Sequence, residues 1–182
     1  MSKQVLAISD QTPAGNLAKG WIHLDLGTAR IISGGAIQNT VEGGVPDGNT
    51  APSLSRVNGA TDKAIRLAWA ASGSAELTWG PIVYPPDLDD TAVVSVHFLA
   101  AMAGLTDTPV LTVAAFEGVG DADAGGATAA VTGTAVAEYS VEIAAANIGA
   151  HPKALTIGLT PGAHTTDILY MYGAWMEYTR KA

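Results

Sequence analysis

The sequence predicts an all-β fold, an antiparallel jelly-roll-like β-sandwich of about eight strands preceded by an extended N-terminal arm. Short apolar or alternating segments recur between turn-rich stretches at the spacing of a sandwich or barrel. Glycine (21 residues) and proline (9) are frequent, while charged residues make up only 14% of the chain, below the roughly 25% of an average soluble domain. Helical proteins spend more Lys, Glu, Arg and Gln on solvated helix faces, so this composition points to strands, with surface hidden in an assembly.

Residues 1–20 are mixed polar, broken by Pro13 and Gly15, with Val5, Leu6 and Ile8 as one small apolar patch. They read as an arm that either frays or orders on a neighbouring subunit. Residues 21–182 then form the sandwich. Residues 21–26 alternate Ile22, Leu24 and Leu26 with Trp21, His23 and Asp25, the period of a pleated strand. Ile31, Ile32 and Ile37 continue around a Gly34-Gly35 turn. Residues 41–59, rich in Gly, Pro, Asn, Asp and Ser, read as a long loop.

Residues 64–69 and 75–79, separated by Ser72-Gly73, read as a hairpin. Proline donates nothing to a ladder, so Pro81, Pro85 and Pro86 put Ile82-Val83-Tyr84 at a sheet edge or in a crossing loop. Residues 92–102 are the most apolar element, a buried strand. Further strands are expected at 108–117, 136–143, 154–159 and 168–179, with one helical turn at 143–148. Strict alternation along the last strand sets Tyr170, Tyr172, Ala174, Met176 and Tyr178 on one face and Met171, Gly173, Trp175 and Glu177 on the other. One face then packs in the core and the other against a neighbouring subunit.

The length of 182 residues with 48% hydrophobic content supports one domain with a sizeable core. A formal net charge of -8 argues against a groove that neutralises nucleic-acid phosphates, and against anionic membrane surfaces. The absence of cysteine excludes disulfides, thiolate metal sites and a cysteine nucleophile. The start shows no secretory signal, and the longest apolar stretch is too short to span a bilayer, so a soluble protein made in the cytoplasm is expected.

The sequence assigns no catalytic, cofactor-binding or metal-ligating residue. His23, His97, His151 and His164 lack the spacing of a metal site, and His97, inside the apolar strand, is the one expected to be buried. Asp87, Asp89 and Asp90 form one acidic cluster, and Asp121 and Asp123 form another within a glycine loop. The latter opens like a calcium loop, but Thr132 stands where a bidentate Glu is required, so a solvated turn is expected. No hydrolase elbow or phosphate-cradling loop occurs. Four tryptophans and five tyrosines leave a sugar-stacking platform as an alternative, although their positions do not form one patch on strict alternation.

The runs Glu76-Leu77-Thr78-Trp79-Gly80-Pro81, His97-Phe98-Leu99-Ala100, Ala154 through Gly162, and Tyr172 through Tyr178 resemble small virion proteins of tailed bacteriophages, in particular capsid decoration (cement) proteins. The resemblance covers a little over half of the chain. It implies a non-enzymatic homotrimer on the capsid surface of the virion, with the major capsid protein as partner. A tail, baseplate or head-fibre component and a glycan-binding, receptor-facing module are the alternatives.

Overall fold

The computed structural model describes residues 18–33, 36–40, 52–58, 60, 63–150 and 153–181. The fold is an all-β jelly-roll sandwich of two antiparallel sheets. Among the described residues the strands are β1 (Lys19–His23), β2 (Arg30–Ser33), β3 (Ala36–Thr40), β4 (Ser53–Asn58), β5 (Lys63–Trp69), β6 (Glu76–Val83), β7 (Val94–Met102), β8 (Leu111–Phe116), β9 (Gly126–Ala127), β10 (Ala137–Ile143), β11 (Ala154–Pro161) and β12 (Leu169–Thr179). The front sheet has the order β10-β7-β12-β5-β4, with β1 also paired to β12; the back sheet runs β3-β2-β6-β11-β8-β9.

Each sheet turns its apolar row inward. Val94, Val96, Phe98, Ala100 and Met102 of β7 face Leu111, Val113 and Ala115 of β8 and Leu155, Ile157 and Leu159 of β11 in one continuous core. The two-residue period of a strand makes this possible, because alternate side chains share a face. No helix among the described residues is long and apolar enough to cross a membrane. The expected helical turn is a short 3-10 turn, Ala145–Asn147.

The predicted hairpin of residues 64–69 and 75–79 does not form. β5 lies in the front sheet and β6 in the back one. The turn at Ser72-Gly73 carries the chain across the sandwich edge, and the buried Trp69 indole donates from Nε1 to the Ala75 carbonyl at 3.1 Å. Two alternating segments joined by a turn can pair side by side or face each other across a core, and periodicity does not distinguish the two.

The expected loop at 41–59 is also corrected in part: residues 41–51 and 59 lie outside the described residues, but Ser53–Asn58 is an edge strand on β5. Most of the expected arm, residues 1–17, lies outside the described residues as well, while Lys19 and Gly20 already pair with Thr179 and Tyr178. Pro81 sits within β6, where β6 pairs with β11 but has run past its partner residues on β2. With Gly80, Pro81 forms the irregularity of the β6–β11 ladder opposite Thr156, so its missing N–H falls where the regular pairing is already interrupted.

Two loops are pinned by reciprocal carboxylates. Asp167 Oδ2 accepts the N–H groups of Thr106 (2.7 Å) and Asp107 (3.0 Å), and Asp107 Oδ2 accepts those of Thr166 (2.6 Å) and Asp167 (2.7 Å). These backbone donors hold the Asp107 carboxyl below the usual carboxylate range.

Candidate functional site

The register of β12 decides which aromatics meet. Met171 pairs with Ala100 of β7, but Gly173 pairs with Leu99, so β12 carries one extra residue there, Tyr172. Such a bulge shifts the alternation by one. Before it Leu169 and Met171 point inward; after it Ala174, Met176 and Tyr178 do. Tyr170, Tyr172, Trp175 and Glu177 therefore all stand on the outer face of the front sheet. The strict alternation expected from sequence, which separated Tyr170 and Tyr172 from Trp175, is wrong at this point.

Cross-strand pairing brings partners to the same face. Trp21 pairs with Glu177 and His23 with Trp175 on β1; His97 pairs with Trp175 on β7; Ser140 of β10 pairs with His97; Ala68 pairs with Tyr170 on β5, which sets Arg66 outward two residues away. Trp21 and Trp175 are diagonal neighbours on adjacent strands, about 7–8 Å apart.

Trp21 is 64% exposed. Its indole Nε1 donates to Glu177 Oε2 at 3.1 Å, and Lys19 Nζ lies 3.2 Å from Glu177 Oε1. Burial alone would raise the Glu177 carboxyl, but Lys19 and Trp21 outweigh it and hold the group below the usual carboxylate range. An ionised Glu177 thus fixes the orientation of an exposed indole. Next to it, the His97 ring lies parallel to Trp175, centroids 5.0 Å apart, with Nδ1 2.8 Å from Glu138 Oε1.

On the other side of Gly173, the Arg66 guanidinium lies 3.4 Å from the Tyr170 ring centroid, and its Nη1 donates to the Tyr172 hydroxyl at 3.0 Å. The Tyr170 and Tyr172 rings meet edge to face, 6.5 Å apart. Among the described residues, the buried side-chain polar atoms without a hydrogen-bond partner are Ser53 Oγ, Arg66 Nε and His97 Nε2. All three residues occupy outward positions of the front sheet. Buried polar groups are ordinarily paired, so unspent hydrogen-bonding capacity is concentrated on this face.

The histidines separate. His97 faces outward beside Trp175 and is largely covered there, with Nε2 buried, but it does not enter the core. His164 is buried, its ring nitrogens 2.9 Å from the Gly162 carbonyl and 3.1 Å from the Ala70 carbonyl. His23 is exposed, and His151 lies outside the described residues. Asp123 Oδ1 accepts the N–H groups of Ala115 and Gly125, both at 2.8 Å, so this carboxylate pins its loop, with Asp121 exposed nearby. No group of three or more His, Cys, Asp or Glu able to hold a metal ion gathers among the described residues.

A cavity of about 240 Å³ beside β8 is lined by Glu117, Asp121, Asn147 and Lys153. Glu117 Oε1 accepts the Tyr84 hydroxyl at 2.7 Å and the Gly149 N–H, while Lys153 Nζ lies 2.8 Å from Oε2. Burial would raise its carboxyl, but Gly149, Lys153 and Tyr84 together hold it below the usual range; burial and Glu117 push the Tyr84 hydroxyl well above the usual tyrosine range. The carboxylate is spent on a brace.

One signal for the aromatic face was present in the sequence: Gly173 interrupts an otherwise bulky strand, and a glycine inside a strand marks a bulge. Counting the phase afresh after it would have placed Tyr170, Tyr172 and Trp175 together. Arg66 and Trp21 carry no such signal, because only the pairings through β12 bring them to the same face.

No family model and no curated protein matches the sequence. Solved structures do share the fold. A xylan-binding module of family 15 is similar with a TM-score of 0.50 and 12% identity, over 91% of this chain and 100% of that one. A family 30 carbohydrate-binding module of a Clostridium thermocellum cellulosomal cellulase gives 0.47 and 14%, over 86% and 96%. A family 61 carbohydrate-binding module in complex with β-1,4-galactotriose gives 0.45 and 14%, over 72% and 83%. At such identities the likeness concerns the fold alone. The match to the xylan-binding module nevertheless overturns the resemblance to capsid decoration proteins, together with the major capsid protein partner and the homotrimer it implied. The strand and turn runs that carried that resemblance are parts of a jelly-roll sandwich of the kind the xylan-binding module has.

Proposed function

We propose that this chain is a non-catalytic glycan-binding module, with the outer face of the front sheet as its binding surface. The observation that carries this reading is the bulge at Tyr172, which gathers Tyr170, Tyr172 and Trp175 beside the exposed Trp21. Aromatic rings supply large apolar area at low conformational cost, which suits the apolar faces of sugar rings. Glu177 holds Trp21 in place before any ligand arrives, so little ordering remains to be done on binding. The fold shared with a xylan-binding module supports the reading.

Titration calorimetry against xylan-, galactan- and mixed-linked glucan-derived oligosaccharides tests it. The wild-type chain is expected to bind at least one, and Trp21→Ala combined with Trp175→Ala to weaken that binding by about 30-fold, a loss of about 2 kcal/mol typical of an interface anchor. Phe116→Ala on the back sheet is expected to change nothing. Equal binding by the double variant, or no binding to any glycan, would overturn the reading.

A further inference from the structure

We infer that the glycan this face takes carries isolated carboxylates, uronic acid residues on a mostly neutral chain, and that Arg66 is the specificity-determining residue that receives them. The inference rests on the glycan-binding reading and adds the ligand's charge.

Two other basic side chains on this face already meet acidic partners. Lys19 is paired with Glu177, and His97 with Glu138. Among the described residues Arg66 has none: its side-chain contacts are the Tyr170 ring, the Tyr172 ring 5.9 Å away and the Tyr172 hydroxyl. Nη1 makes one hydrogen bond and Nε makes none, which leaves most of the guanidinium's N–H donors unused. A half-buried cation without a counter-ion is held at a cost that an incoming anion repays.

The local geometry fits a carboxylate on a sugar. Stacking on Tyr170 and the bond to Tyr172 fix the guanidinium plane, and a planar fork of donors matches a planar carboxylate. Gly173, between Tyr172 and Trp175 in the chain, adds no side chain of its own to the face, and the Leu99 side chain of β7 stands beside it, 3.7 Å from where a Cβ would lie, which gives the ring that bears the acid an apolar floor. The density of charge on the ligand is limited by the rest of the chain. With a net charge of -8, a polyanion is repelled within about a Debye length, ~8 Å at physiological salt. A glycan with sparse carboxylates avoids that repulsion while still satisfying Arg66.

The test uses two backbones, a glucuronic-acid-substituted xylan and a largely methyl-esterified pectin, each beside its carboxyl-reduced counterpart, in affinity electrophoresis and calorimetry at 0.15 M salt. For at least one backbone the acidic form is expected to bind about tenfold tighter than the reduced form. Arg66→Gln is expected to bring the ratio of acidic-form to reduced-form affinity from about ten down to about one, whatever the loss of its contacts with Tyr170 and Tyr172 does to both affinities together, and Arg66→Lys to restore part of that ratio. Equal binding of acidic and reduced forms, or a preference that survives Arg66→Gln, would overturn the role of Arg66 and leave the glycan-binding reading standing. Failure of both forms of both backbones, while a neutral glycan binds, would overturn the inference alone. Failure of every glycan would overturn the underlying reading.

Discussion

The two outer faces of this sandwich are built on the same ladders and the same two-residue period, yet they present different chemistry. The back face shows Arg30, Ile32, Glu76, Thr78, Thr112, Ala114, Thr156, Gly158 and Thr160, with Phe116 at its end. The front face shows Trp21, Tyr170, Tyr172 and Trp175, interleaved with Arg66, His97, Glu138 and Glu177. The back face thus carries charges as well as small hydroxyl residues, but among the described residues it has no row of aromatic rings to offer as a stacking surface. Because the inner rows alone bury the core, an outer row is free to carry aromatic rings, and only the front one gathers them on neighbouring strands.

The largest expected effect tests the alternation that creates the difference. Inserting one alanine after Ala174 would turn Met176 and Tyr178 outward and drive Glu177 into the core. Losing buried side chains costs about 2–5 kcal/mol each, and a domain holds only about 5–15 kcal/mol in all. The insertion is therefore expected to abolish cooperative thermal unfolding. Deleting Tyr172 is expected to do the opposite. Met171 and Gly173 already pair with the consecutive residues Ala100 and Leu99, so the deletion leaves a regular ladder with every inward residue still inward. A cooperative melt with lost affinity is the outcome that supports the bulge as a device of the site; a deletion as damaging as the insertion would refute it.

The same bulge marks where the sequence stops being legible. The strands at 92–102, 108–117, 136–143, 154–159 and 168–179 were readable because each buries one row against a continuous core, and burial leaves its period in the residues. Edge strand β4 was not, because Leu54 and Val57 fall on opposite faces and no apolar row exists. The β5–β6 crossing was hidden for a different reason: pairing partners lie far apart in the chain. The site combines both difficulties. It needs the phase change at Gly173 and it needs β1, β5 and β7 assembled on β12, information carried by the core and not by the outward residues themselves.

A smaller effect contrasts the two half-buried charges, one on each side of the comparison. Glu117 on the back-sheet side has three partners, whereas Arg66 meets no carboxylate among the described residues. Glu117→Gln is expected to cost about 1.5–3 kcal/mol, the range for hydrogen bonds to a charged group, with glycan affinity unchanged. The pH dependence has a definite sign. A carboxyl depressed in the folded state contributes stability above its unfolded value, about 4.3, and loses it as pH falls through the folded value. Denaturant unfolding between pH 7 and 3 should therefore show the wild type losing more stability than the variant on acidification. Parallel curves would mean that Glu117 braces nothing.

The smallest expected effect falls on the back face. Thr112 is exposed, points away from the core and pairs with Thr160 and Ala127 across the ladders. Thr112→Lys places a cation there with no aromatic neighbour to orient it and no orphaned polar group to satisfy. Surface changes of this kind shift stability by about 0.5 kcal/mol or less, and a mobile lysine on a threonine-lined sheet gives a uronic acid nothing that solvent does not. Affinity for acidic glycans should stay within a factor of two of wild type. A gain comparable to the Arg66 contribution would show that charge alone selects the ligand, and that the rings beside Arg66 on the front face are incidental. An unchanged value shows that the cation acts only where stacked rings hold it still.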